Sequence, residues 1–238
     1  MTENFDELKA RYENVKKNIE AACERAGRDP SSVCLIAVSK TKPVEMMRAF
    51  YALGQRDFGE NHVQEIVSKS EVFPEAVYHM IGHLQTNKVR QVVGKVVLIH
   101  SIDTVHLAQA VSKECVKKGL TGRILLEINA GNEESKYGFT FEEAIPAALE
   151  IAALPNIRIE GLMCVAPNTP DPEENRAVFR KMKQLSVDIS AQNCDNISMN
   201  ILSMGMTNDY PVAIEEGATH VRIGTALFGR RDYGGSKK

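Results

Sequence analysis

Eight short apolar runs, each followed by a more polar stretch, succeed one another between Val33 and Gly229. They are Val33–Val38, closed by Ser39-Lys40, then Arg56–Gly59, Val77–Ile81, Val96–Ser101, Arg123–Asn129, Ile157–Met163, Ser198–Ser203 and His220–Ile223. Spacing between them predicts helices from Pro43 through Leu53, from Asn61 to about 70, and over about 104–118, 140–153 and 173–191. Alternation of this kind implies a parallel sheet with right-handed crossovers. Eight units in 238 residues favour closure into a (β/α)8 TIM barrel. An open Rossmann-like sheet is the rival, but no G-x-G-x-x-G follows any run. Ahead of the runs, residues 3–26 carry Phe5, Leu8, Tyr12, Val15, Ile19 and Cys23 at helical spacing, with Gly27 as the stop. That extra N-terminal helix is expected to cover the bottom or flank of the barrel. Past Gly229 only a short polar tail remains, so the expectation is one domain over 1–238, with its barrel over about 33–229.

Composition removes several functions. Net charge is −2 and Trp is absent, so neither nucleic acid nor an anionic membrane has an electrostatic claim on the chain. No apolar run approaches the roughly 20 residues of a membrane helix, and the acidic opening Thr2-Glu3-Asn4-Phe5-Asp6-Glu7 is unlike a secretory signal. Cys23, Cys34, Cys115, Cys164 and Cys194 are far apart and form no C-x-x-C pair, which fits a reduced, cytoplasmic compartment. His62, His100, His106 and His220 show no ligand spacing, so no metal site is expected.

The residue that does not belong is Lys40. Six consecutive apolar residues, Val33 to Val38, read as a strand buried on both faces, and a lysine stands where it emerges. Burying an ammonium is costly unless it is paired or loses its proton. Lys40 is therefore either an ion-paired structural lysine or a neutralisable amine at the mouth of the barrel, the latter state encouraged by Lys42 and Lys136.

Active sites of barrels lie at the C-terminal ends of the strands, and closure makes the eighth strand a neighbour of the first. Lys40 would then stand beside Arg222 and Gly224-Thr225. The ends of strands seven and eight commonly bind phosphate through backbone N–H groups. Ser203-Met204-Gly205 and Gly224-Thr225 supply small residues and hydroxyls there, unless the glycines only shape turns. A phosphate pocket next to a strand-end lysine points to pyridoxal 5′-phosphate (PLP). Arg222 would face the pyridine nitrogen, where a guanidinium can only donate a hydrogen bond, leaving the cofactor a weak electron sink. The competing role for Arg222 is an ion pair with Glu127 or Glu160.

Several motifs occur together, in order, from about residue 5 to 233. They are Ala37-Val38-Ser39-Lys40-Thr41-Lys42, Phe58-Gly59-Glu60-Asn61, His79 through Lys88, Ser135-Lys136-Tyr137-Gly138, Gly161-Leu162-Met163, Leu202 through Met206, and Val221 through Thr225. In these the chain resembles the YggS/PROSC family of pyridoxal phosphate homeostasis proteins, which look like the barrel domain of alanine racemase (PLP fold type III) standing alone. The resemblance implies Lys40 as the Schiff-base lysine, Arg222 on the pyridine nitrogen, and Ser203, Gly224 and Thr225 on the phosphate. It sets Asn61, His79 and Met163 around the pocket, though His79 equally suits core packing. Lys136 matches a loop lysine near the mouth. Pro211 departs from the polar residue usual in relatives, in a helix that should not touch the cofactor.

Two functions follow, a non-enzymatic carrier that buffers PLP or delivers it to apo-enzymes, and a racemase or decarboxylase. Two-base racemisation needs an acid/base on each face of the substrate. Lys40 serves one face, and of the six tyrosines only Tyr137 could reach the mouth. A Schiff-base aldolase would leave Arg222 without a purpose. The expectation is a carrier, with no catalytic residue and no metal. No exposed apolar patch is evident, and a monomer is expected.

Overall fold

The computed structural model describes residues 4–131 and 137–229. Eight parallel strands close on themselves in sequence order. They are β1 (Cys34–Val38), β2 (Asp57–Glu60), β3 (Val77–Met80), β4 (Leu98–Ile102), β5 (Gly122–Ile128), β6 (Ile157–Cys164), β7 (Ile197–Ser203) and β8 (His220–Ile223). The helices between them are α2 (Val44–Ala52), α3 (Val63–Val72), the single turn α4 (Val89–Val92), α5 (Val105–Lys118), α6 (Ala144–Ala152), α7 (Arg176–Ser190) and α8 (Tyr210–Glu215), with α9 (Thr225–Phe228) after β8. The (β/α)8 expectation holds.

Boundaries move by one to four residues. The second strand runs Asp57–Glu60 rather than 56–59, and the fourth Leu98–Ile102 rather than 96–101. The helix expected at 173 begins as a 3-10 turn, Pro172–Asn175, capped by the Asp171 carboxylate, before α7 starts. Thr86–Lys88 is also a 3-10 turn, and Gln85 makes no side-chain cap.

The extra helix α1 (Phe5–Arg25) lies on the flank. It packs on α8, α9 and α2, bracing the seam where β8 meets β1. Leu8, Val15 and Ile19 are buried there, each contributing roughly 1.5–3 kcal/mol of apolar transfer. Arg28 staples the following loop by donating to the carbonyls of Ile214 and Ala218.

Strand parity divides the molecule into two interiors. Outward residues such as Phe58, Tyr78, Ile99, Val221 and Ile223 join the large apolar core between sheet and helices. Inward residues include one small apolar cluster, Leu98, Leu125, Met163 and Ile201, and an unusually polar remainder. Gly161 permits the β6–β7 approach at a register shift, since a Cβ there would stand 1.8 Å from the Ile201 carbonyl oxygen.

Candidate functional site

Lys40 follows β1 by two residues, half-buried in a turn in which the Lys42 amide donates to the Ser39 carbonyl. Thr41 has a φ of 64°, left-handed for a β-branched residue, which costs of order 1–3 kcal/mol. A buried ion network beneath the turn holds it. Lys69 on α3 donates to the Ser39 carbonyl at 2.8 Å, to Glu60 Oε1 at 2.8 Å and to Glu65 Oε2 at 2.7 Å. The Ser39 hydroxyl donates to the same Glu60 oxygen, and Glu65 accepts from the Thr41 amide. Glu60 Oε2 is buried with no partner among the described residues, and burial holds that carboxyl above its usual range despite Lys69.

The seam brings the last strand to Lys40. Ile36 pairs with Arg222 and Ala37 with Ile223, so Gly224 continues beside Val38. Among the described residues, the backbone N–H groups of Gly205, Gly224, Thr225 and Ala226 make no hydrogen bond. Neither backbone nor packing demands glycine at 224, where φ is −109° and an added Cβ would make ordinary contact with Val38 at 3.5 Å. The ammonium of Lys42, expected to favour a neutral Lys40, donates to the Phe228 carbonyl at 2.9 Å. Lys136 lies outside the described residues.

Arg222 is buried inside the barrel. Its Nη1 donates to the Ser203 carbonyl and hydroxyl, both at 2.7 Å, and Nη2 to the Cys164 carbonyl at 2.8 Å. Nε–H and one Nη2–H of the fork are left over within the described residues. Neither rival ion pair forms, since Glu160 is taken by Arg123 in a two-pronged bridge at 2.6–2.7 Å and Glu127 makes no hydrogen bond to the guanidinium. Ser203, set on the phosphate by the resemblance, has its hydroxyl turned inward to Arg222 and to His100 Nδ1 at 2.9 Å. His79 is spent as well, with Nδ1 on His100 Nε2 at 3.0 Å and Nε2 on Asp57 at 2.9 Å. Met163 joins the inward apolar cluster, and Asn61 directly follows β2 with its backbone packed against Gly82.

The structure thus gathers Lys40, Gly224, Thr225, Ser203 and Arg222 around one end of the barrel, with His79 deeper. Sequence spacing gave no sign that His100 and His220 join His79, because these residues lie on three different strands. Only strand parity, once register is known, turns all three inward. The Glu60–Lys69 pair was equally hidden, being nine positions apart on a strand and a helix. Tyr137 is exposed and stacks on His83 at 3.8 Å between ring centroids.

Glu127 faces this interior, and burial with Asp103 nearby raises its carboxyl to about 7. A carboxyl raised in the folded state stabilises the fold below its unfolded value and loses that contribution as pH rises to its folded value. Stability of the cofactor-free chain is therefore expected to fall by about 2 kcal/mol between pH 4.5 and 7 through this group. Melting curves of Glu127→Gln should lose that slope; an unchanged slope would remove Glu127 as its source.

Residues 11–232 match the family of the alanine racemase N-terminal domain. An alanine racemase of Clostridium difficile 630 has this fold, with a TM-score of 0.75 at 14% identity over 95% of this chain and 57% of that one. The chain is further similar to the pyridoxal phosphate homeostasis protein of Aquifex aeolicus, 44% identical over 94% of this chain and 98% of that protein. It is also similar to PipY of Synechococcus elongatus PCC7942, solved with PLP bound, at 33% identity and a TM-score of 0.77 over 89% of this chain and all of that one. The chain belongs to the family of pyridoxal phosphate homeostasis proteins.

Proposed function

We propose that this chain binds PLP at the C-terminal mouth of the barrel and serves PLP homeostasis without turning over a substrate. What carries the proposal is the seam between β8 and β1, which sets a half-buried strand-end lysine beside a group of unpaired backbone N–H donors. The donor set fits the cofactor's parts. The amides of Gly205, Gly224, Thr225 and Ala226 suit a phosphate, and the spare N–H groups of Arg222 suit an uncharged ring nitrogen. Bound PLP supplies an aldehyde that condenses with an amine, and Lys40 is the amine placed for it. Asn61 and Met163 line the pocket, with Ser203 and His79 acting from behind Arg222. A guanidinium that only donates leaves the ring nitrogen unprotonated, which suits holding the cofactor better than transaminase-type chemistry. The homeostasis name carried by close relatives supports the non-enzymatic role.

On the same proposal the chain is one barrel unit over 1–238, works as a monomer in the cytoplasm and passes PLP to apo-enzymes. The five cysteines are free thiols, as in a reducing compartment. Among the described residues no helix is long and apolar enough to cross a membrane.

Equilibrium dialysis against PLP is expected to give one site per chain with a visible absorbance band. Incubating the loaded protein with L-alanine and other L-amino acids is expected to yield no sustained D-isomer or amine. No binding would end the proposal, and multiple turnover would replace the carrier with a racemase or decarboxylase.

A further inference from the structure

The barrel interior holds a continuous line of side chains whose hydrogen bonds can all be assigned a direction. Arg222 Nη1 can only donate, so the Ser203 oxygen accepts. Ser203 is fully buried, and among the described residues its own O–H has one acceptor within reach, His100 Nδ1 at 2.9 Å. His100 must then carry its proton on Nε2, and it donates across 3.0 Å to His79 Nδ1. His79 in turn carries its proton on Nε2 and donates to the Asp57 carboxylate at 2.9 Å. Five residues from β8, β7, β4, β3 and β2 are thereby ordered from the guanidinium to a carboxylate at the opposite, N-terminal mouth, where Asp57 is 31% exposed.

The reverse order fails on two counts. It would make His79 an imidazolium, turn the His100 proton to Nδ1 and leave the Ser203 O–H buried with no acceptor, at a cost of about 1–3 kcal/mol. It would also add a cation to an interior that already holds Arg222. Burial and the neighbouring charges already push His100 well below the usual imidazole range and His220, edge-on to both rings, down to about 4.

We propose that Asp57, His79 and His100 are positioning residues for Arg222, forming a one-way hydrogen-bond chain that fixes the Ser203 hydroxyl as an acceptor and so holds the guanidinium in a single orientation. Its consequence for the cofactor rests on the proposed role of Arg222; the direction of the chain does not. Asp57 anchors the line because a carboxylate is acceptor-only and cannot let the chain reverse. The Cys34 thiol lies on the adjacent strand β1, and burial with the Asp57 carboxylate nearby pushes it up to about 12, so it stays a neutral thiol and adds no charge to the line.

Two measurements test this. Long-range 1H–15N spectra of the cofactor-free protein at neutral pH, assigned with His79→Gln and His100→Gln, should show both rings neutral and protonated on Nε2. An imidazolium at His79 or an Nδ1–H form at either ring overturns the chain, whatever the protein binds. PLP affinity by equilibrium dialysis should then fall about tenfold in Asp57→Leu and stay within about twofold in Asp57→Asn, which keeps an acceptor for His79. If Asp57→Leu does not fold, Ser203→Ala is expected to give the same tenfold loss by cutting the line at its other end. Affinity unchanged in the folded variants overturns the positioning role, and failure of the unmodified chain to bind PLP sinks the cofactor assignment while leaving the ring assignment standing.

Discussion

Borohydride reduction of the chain loaded with PLP is expected to fix the cofactor to the peptide holding Lys40, and Lys40→Ala is expected to carry no label at all. Two other lysines stand near the same turn. Lys42 is held by the Phe228 carbonyl, and Lys69 by three acceptors beneath the turn. Lys40 alone of these follows the inward parity of β1 and stands two residues past Val38, level with the end of β8. A strained Thr41 fixes the turn that presents it, so the amine is placed by backbone rather than by its own flexible stem. The melting temperature of Lys40→Ala, measured beside the labelling, separates a chemical effect from unfolding. Peptide mapping after reduction decides the matter: label on Lys42, or label persisting in Lys40→Ala, would move the attachment elsewhere.

Lys69→Met should cost about 3–5 kcal/mol of stability, because it leaves the Glu60 carboxylate buried with only the Ser39 hydroxyl for support. In a chain of this length that lowers the melting temperature by roughly 10 °C. The pH dependence carries the sign of the cause. Glu60 is already raised by burial, and removing Lys69 raises it further. A group raised in the folded state stabilises most below its unfolded value, so the deficit against the unmodified chain should shrink as pH falls. Adding Glu60→Gln to Lys69→Met should recover part of the loss at neutral pH. A shift below about 2 °C by calorimetry would show that water already reaches Glu60. The same variant loosens the support under Ser39 and Thr41, so cofactor retention should fall with it.

Much of the fold was legible because it is written in local patterns. Eight apolar runs alternating with helical spacing fix element type, and their number in 238 residues leaves closure as the economical arrangement. Edges were less legible. Arg56 looked like the start of a strand, but β2 begins at Asp57 and runs on to Glu60. In the site, Lys40 stood out through its contrast with an apolar run, and the seam placing it near Arg222 and Gly224 followed from closure alone. The roles given to His79 and Ser203 came from family resemblance, and the structure adds what each touches.

The sequence by itself determined the barrel, the N-terminal helix, the conspicuous lysine and the family. Periodicity and composition act over a few residues, and a chain carries them whether or not it is folded. Only the tertiary structure decided who meets whom. It gave Lys69 to Glu60 and Ser39, left the amides beyond β8 unpaired among the described residues, and lined up Arg222, Ser203, His100, His79 and Asp57 across the barrel. Those contacts depend on strand register, where a slip of one residue turns every side chain to the opposite face, and no local pattern in the chain encodes that choice.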